Sequence, residues 1–137
     1  MKKILIIEDD PVVQKLVNQI LSDENYLCSL AEDGQSGRDI YGNSLESEEP
    51  YNLIILDIVM PIMDGFQFLT NLRQDEEDNG LDLEERVPII IITSHARHYA
   101  EAYMKGCNDF ILKPIDTNTL LEKVKLYIDG ISTEDTD

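Results

Sequence analysis

The chain has 137 residues, 42% of them hydrophobic, which suits one domain with a proper core and excludes a wholly disordered chain. Lys and Arg number 11 against 28 Asp and Glu, a formal net charge of −17 that repels nucleic-acid phosphates and anionic membranes. No apolar run approaches membrane-spanning length, and Glu8, Asp9 and Asp10 cut the first run too short for a secretory leader, so the expected location is cytoplasmic. Cys28 and Cys107 lack metal-ligand spacing and read as two reduced, mostly buried thiols.

In chain order, Ile4–Ile7 is the first predicted strand. A helix follows, capped by Asp10 with Pro11 at its first position, and Val12, Val13, Leu16, Val17, Ile20 and Leu21 recur at helical spacing. Leu27–Ala31 is a weaker strand, and Gly34–Tyr41 a helix weakened by Gly37. An acidic connection, 43–52, leads to the strand Leu53–Leu56; Phe66, Leu69 and Leu72 then mark a third helix. A second acidic stretch, 74–87, reads as solvated loop or helix extension before a strand at 88–92. Ala96–Lys105 is a helix with few large apolar residues, and Phe110–Leu112 the last strand. Thr117–Asp129 forms the final helix, with Gly130 as its stop. Residues 1–130 make the predicted domain and 131–137 an acidic flexible tail. The strongest strands are continuously apolar, as strands covered on both faces of a parallel sheet are. The expectation is an α/β fold, a doubly wound five-stranded parallel sheet with five helices on two faces.

The unusual polar residues share one location. Glu8 and Asp9 follow the first strand, Asp57 ends the third, Thr93 and Ser94 end the fourth, and Lys113 ends the fifth. Open α/β sheets bind ligands at the carboxyl ends of their strands, so these residues converge. Two carboxylates about 4 Å apart repel by roughly 4 kcal/mol at an effective dielectric near 20. Lys113 offsets one charge and a hard divalent ion would offset two more; oxygen-only ligands suit Mg²⁺, with Mn²⁺ as substitute. So screened, Asp57 is a candidate nucleophile toward a phosphoryl group, with Lys113 and the Thr93 hydroxyl steadying its oxygens.

The segments IIEDD, ILDIVMPIMDG, PIIIITS and DFILKPI, in this order, resemble the receiver domain of two-component response regulators of the chemotaxis-regulator type. The resemblance spans residues 2–130. It implies a flavodoxin-like strand order of 2-1-3-4-5, Asp57 as phosphoacceptor, and Asp9 as a direct Mg²⁺ ligand with Glu8 acting mainly through water. It also implies the Val59 backbone carbonyl as a third protein ligand, Thr93 and Phe110 as switch residues, Lys113 as the phosphate partner, and a cis Lys113–Pro114 bond. The implied function is a phosphoacceptor switch with self-phosphorylation and self-dephosphorylation chemistry only. A histidine kinase or histidine phosphotransfer protein would donate the phosphoryl group. The face of the fourth helix, fifth strand and fifth helix would then meet a downstream protein target or output domain. The net charge of −17 argues against direct nucleic-acid contact by this domain and against a membrane, and a monomer or weak dimer is expected. Glu8 stands where Asp is commoner, and Phe110 lacks the hydroxyl of the tyrosine often found there.

Two other functions compete. A haloacid-dehalogenase-type phosphatase needs a second aspartate two residues after its nucleophile, where this chain has Val59. A phosphorylation-independent binding module would keep the fold without the chemistry, and the chain also reads as a receiver excised from a longer regulator. His95, two residues past Thr93, is either an influence on water attack at the phosphoryl group or a solvated histidine. Tyr99 and Tyr103 share a helix face, as packing or as partner contacts.

Overall fold

The computed structural model describes residues 1–130; the expected flexible tail lies outside them. Its strands are β1 (Lys3–Ile7), β2 (Leu27–Ala31), β3 (Leu53–Asp57), β4 (Ile89–Thr93) and β5 (Asp109–Leu112). Its helices are α1 (Pro11–Asp23), α2 (Gly34–Ser44), α3 (Gly65–Asp78), α4 (Tyr99–Met104) and α5 (Thr117–Asp129). All strand pairings are parallel, in the order β2-β1-β3-β4-β5, as the resemblance implied.

The alternation of strand side chains explains the two layers. Leu5, Ile7, Ile54, Leu56, Ile89 and Ile91 point to one face, against Tyr41 of α2, Phe68 and Leu69 of α3, and Ala102 of α4. Ile4, Ile6, Leu53, Ile55, Ile90 and Ile92 point to the other, against Val17 and Leu21 of α1 and Leu120 and Val124 of α5. Every residue from Ile4 to Ile7, Leu53 to Leu56 and Ile89 to Ile92 is fully buried, hence the unbroken apolar runs. β2 is an edge strand with Leu27 and Leu30 exposed, hence its weaker signal.

Aspartates cap four helices. Asp10 accepts from the Val12 amide (2.9 Å), Asp33 from Ser36 (2.8 Å) and Asp116 from Thr119 (2.9 Å), while Asp64 and Gln67 form a reciprocal capping box. Gly130 stops α5 in the left-handed conformation, φ +68°. The helix expected over Ala96–Lys105 is shorter: a 3₁₀ turn, Ala96–His98, leads into α4, which has no side-chain cap. α2 runs three residues past its expected end, and α3 extends into the acidic stretch.

That stretch is not uniformly solvated as expected. Glu76 is buried, accepting from Arg73 at 2.6 Å and from the Val87 amide at 2.8 Å. Arg73 also donates to the carbonyls of Gly106 (2.9 Å) and Val87 (2.8 Å), tying α3 to the segments entering β4 and β5. Cys28 is half-buried and Cys107 buried; both are free thiols. No described helix is long and apolar enough to cross a membrane.

Candidate functional site

The site sits at the carboxyl edge of the sheet because parallel pairing aligns the strand ends there. Ile7 of β1 pairs with Leu56, and Asp57 of β3 with Ile92, so Glu8, Asp57 and Thr93 leave neighbouring strands at one level. Thr93 pairs with Leu112, and the Lys113 amide donates to the Thr93 carbonyl at 2.8 Å, which brings Lys113 to the same edge. The Lys113–Pro114 bond is cis.

Carboxylate oxygens of Glu8, Asp9 and Asp57 all lie within 4.8 Å of one another. Glu8 is fully buried, Asp57 is 4% exposed, and Asp9 faces solvent. Lys113 Nζ lies 2.5 Å from Glu8 Oε1 and 3.6 Å from Asp57 Oδ1. Asp57 Oδ1 also accepts from the Ile58 amide at 2.9 Å. A cleft of about 250 Å³ opens between Asp9, Asp57, Val59, Thr93, His95 and Lys113. Thr93 is buried, with Oγ1 accepting from the His95 amide at 3.3 Å. Phe110 lies apart from the cleft, half-buried against the core and edge-on to Tyr99, ring centroids 5.4 Å apart.

The electrostatics follow from one cation facing three acids. Burial raises the Glu8 carboxyl above its ordinary pKa, and the neighbouring Asp57 raises it further, against Lys113. Burial likewise raises Asp57, although Glu8, Lys113 and the Ile58 amide pull it down. Asp9 is raised by burial and by Glu8. Burial works against the Lys113 ammonium, but Glu8 and Asp57 outweigh it and raise its pKa. A cluster of clashing carboxylates offering hard oxygens fits a small divalent cation.

Three supporting contacts escaped the sequence reading. The Gln14 side chain donates to the carbonyls of Glu8 (3.1 Å) and Ala31 (3.3 Å), pinning the acidic turn from α1. The Asp10 amide donates to Glu8 Oε2 at 3.3 Å, so Asp10 steadies Glu8 as well as capping α1. Gly65 lets α3 begin against β3: a Cβ there would fall 2.2 Å from the Asp57 carbonyl oxygen. Only the Gly65 contact had a signal in the sequence, the tight Asp64-Gly65 pair.

Comparison with known proteins settles the family. The model of the response regulator receiver domain matches residues 4–125. The chain belongs to this family. Receiver domains are signalling modules of two-component systems, not free-standing metabolic enzymes, and they bind Mg²⁺ at an acidic pocket. The transcriptional regulatory protein HprR of Escherichia coli K12 is 35% identical over 130 residues, covering 92% of this receiver and 51% of HprR. This receiver spans about half the length of the transcriptional regulators it matches. In structure it is similar to response regulator TrrA of Thermotoga maritima in complex with Mg²⁺ and BeF (TM-score 0.76, 26% identity, 91% of this chain and 97% of that one). It is also similar to the co-crystal structure of the Saccharomyces cerevisiae phosphotransfer protein Ypd1 with the receiver domain of Ssk1 (TM-score 0.83, 25% identity, 99% and 94%).

Proposed function

We propose that residues 1–130 are a phosphoacceptor switch in which Asp57 takes a phosphoryl group from a phosphohistidine. The observation that carries this reading is the buried Asp57 at the end of the central strand, facing Glu8, Asp9 and the single ammonium of Lys113. An Asp57 oxygen attacks phosphorus, the O–P bond forms, and the P–N bond to the donor imidazole breaks. Asp9, Asp57 and the Val59 carbonyl would hold Mg²⁺ or Mn²⁺, with Glu8 reached through water. The ion supplies charge neutralisation at the phosphoryl oxygens. Lys113 pairs with one of those oxygens and the Thr93 hydroxyl donates to another.

Phosphorylation adds a charge of about −1.5 to −2. It draws Thr93 toward Asp57 and opens space that Phe110 fills, shifting the population of the α4–β5–α5 face between two states. The Tyr99–Phe110 contact supports this coupling, because α4 packs directly on the residue that moves. The donor is a histidine kinase or a phosphotransfer protein of the Ypd1 kind, and the changed face meets a downstream protein or an output domain.

The test is intact mass after incubation with Mg²⁺ and acetyl phosphate. One phosphoryl adduct is expected, absent with chelator and absent in Asp57→Asn. If no small donor works, binding of beryllium fluoride at Asp57 separates a kinase-selective receiver from a silent scaffold, which would bind none.

A further inference from the structure

The connection between β3 and α3 carries a strained residue that phosphoryl chemistry does not explain. Ile62 has φ +70°, and the Met63 amide donates to the Pro61 carbonyl at 2.8 Å. This is a γ-turn of the positive-φ hand, the rarer and more strained of the two. A β-branched residue suits such a turn poorly. Ile62 is 81% exposed, so its burial offsets little of that strain. Such a conformation persists only where its surroundings over-determine it.

Two glycines supply that constraint from either side. At the far end of the connection the Gly65 amide donates to the Ile58 carbonyl at 2.8 Å, closing the loop onto β3. In the middle the clamp comes from α2. The Gly34 amide, first in that helix, donates to the Met63 carbonyl at 3.1 Å. The two backbones touch: a Cβ on Gly34 would fall 2.4 Å from the Met63 carbonyl oxygen and 2.9 Å from its Cβ and Cγ. A backbone carbonyl cannot swing aside as a side-chain tip can, so any side chain at 34 displaces Met63. Val59, at the mouth of the acidic cleft, lies in the same short connection.

We propose that Gly34 is a positioning residue for the metal end of the site: α2 clamps the Ile62 turn and thereby fixes where the Val59 carbonyl stands beside Asp9 and Asp57. This rests on the reading of Val59 as a metal-facing carbonyl. Gly34 touches neither ion nor phosphoryl group.

Calorimetric titration of the full chain with Mg²⁺ tests it. Gly34→Ala is expected to weaken Mg²⁺ binding by about tenfold, the lower range for loss of an outer support, with far-UV circular dichroism unchanged. Ile62→Gly alone should leave the affinity near wild type. In the Gly34→Ala background Ile62→Gly should restore most of it, because a glycine absorbs the displacement before it reaches Val59. Wild-type affinity in Gly34→Ala overturns the inference, and so does an equal loss with and without Ile62→Gly. Amide exchange in the wild-type protein supplies an arm that needs no variant to fold. Saturating Mg²⁺ should slow exchange at Gly34, and an unchanged rate there overturns the clamp. If the wild-type chain takes up no Mg²⁺, the site reading itself fails; uptake without these effects sinks only the role of Gly34.

Discussion

The ammonium of Lys113 sits closer to Glu8, at 2.5 Å, than to Asp57, at 3.6 Å. The lysine is therefore engaged by an acid that is not the proposed acceptor. Breaking a buried pair from one side costs about 3–5 kcal/mol when the remaining charge must persist. Glu8 has an escape, since its raised pKa lets it hold a proton. Lys113→Met should accordingly destabilise the metal-free protein by about 2 kcal/mol near pH 8, below that range. The loss should shrink toward pH 5 as Glu8 protonates. Urea unfolding at both pH values measures it, and a loss independent of pH would count against the pairing.

The three raised carboxyls give a signed pH dependence. A carboxyl whose folded pKa is raised contributes stability below its unfolded value, about 4, and that contribution is lost as pH rises through the folded value. Burial raises Asp57, so the metal-free protein carries this penalty at neutral pH. Asp57→Asn should raise the unfolding temperature at pH 7.5, and its advantage should fade toward pH 4. Mg²⁺ should produce the same rise in the wild-type protein and a smaller one in Asp57→Asn. Lys113 follows the same sign in a more alkaline window: its contribution is present below about 10.4 and is lost as pH climbs through its raised folded value. Differential scanning at stepped pH, with and without Mg²⁺, checks all three, and an Asp57→Asn advantage that grew toward pH 4 would contradict them.

Gly65 is a steric requirement of the site. Its missing Cβ leaves room for the Asp57 carbonyl, which a side chain would meet at 2.2 Å. Gly65→Ala is expected to cost about 1–3 kcal/mol, the usual range for overpacking. It should also slow phosphoryl uptake, because the displaced atoms belong to Asp57 itself. Stopped-time mass analysis beside a denaturant curve separates the effects: destabilisation with unchanged uptake would show that the strain is absorbed away from Asp57.

Glu76 offers a contrast remote from the cleft. It accepts from Arg73 at 2.6 Å and from the Val87 amide at 2.8 Å. Glu76→Ala strands a buried amide and leaves Arg73 with carbonyl partners only, so a loss of about 3 kcal/mol is expected. Phosphoryl uptake by the remaining folded protein should be unchanged. Slowed uptake at full folding would instead link this clasp to the site.

Much of this protein is legible in one dimension because its physics is local or periodic. The unbroken runs Ile4–Ile7, Leu53–Leu56 and Ile89–Ile92 require strands covered on both faces, and Asp10 before Pro11 stands where a helix cap belongs; the capping roles of Asp33, Asp64 and Asp116 emerged only in the structure. Glu8, Asp9, Asp57, Thr93 and Lys113 were readable as one site because parallel strands bring their carboxyl ends to a common edge. The family motifs then carried their order and spacing.

What the sequence determined by itself was the set of elements and the chemistry available at their ends. The tertiary structure decided which groups meet. No spacing pairs Lys113 with Glu8 more closely than with Asp57, since their distance depends on how two loops close over a buried acid. Nothing local distinguishes Glu76, buried, from its acidic neighbours in sequence. Gly34 reads as an ordinary helix start until α2 is laid against Met63. Periodicity records which face of an element is apolar. Contacts between polar groups far apart in the chain are set by packing, and they exist only once the layers are assembled.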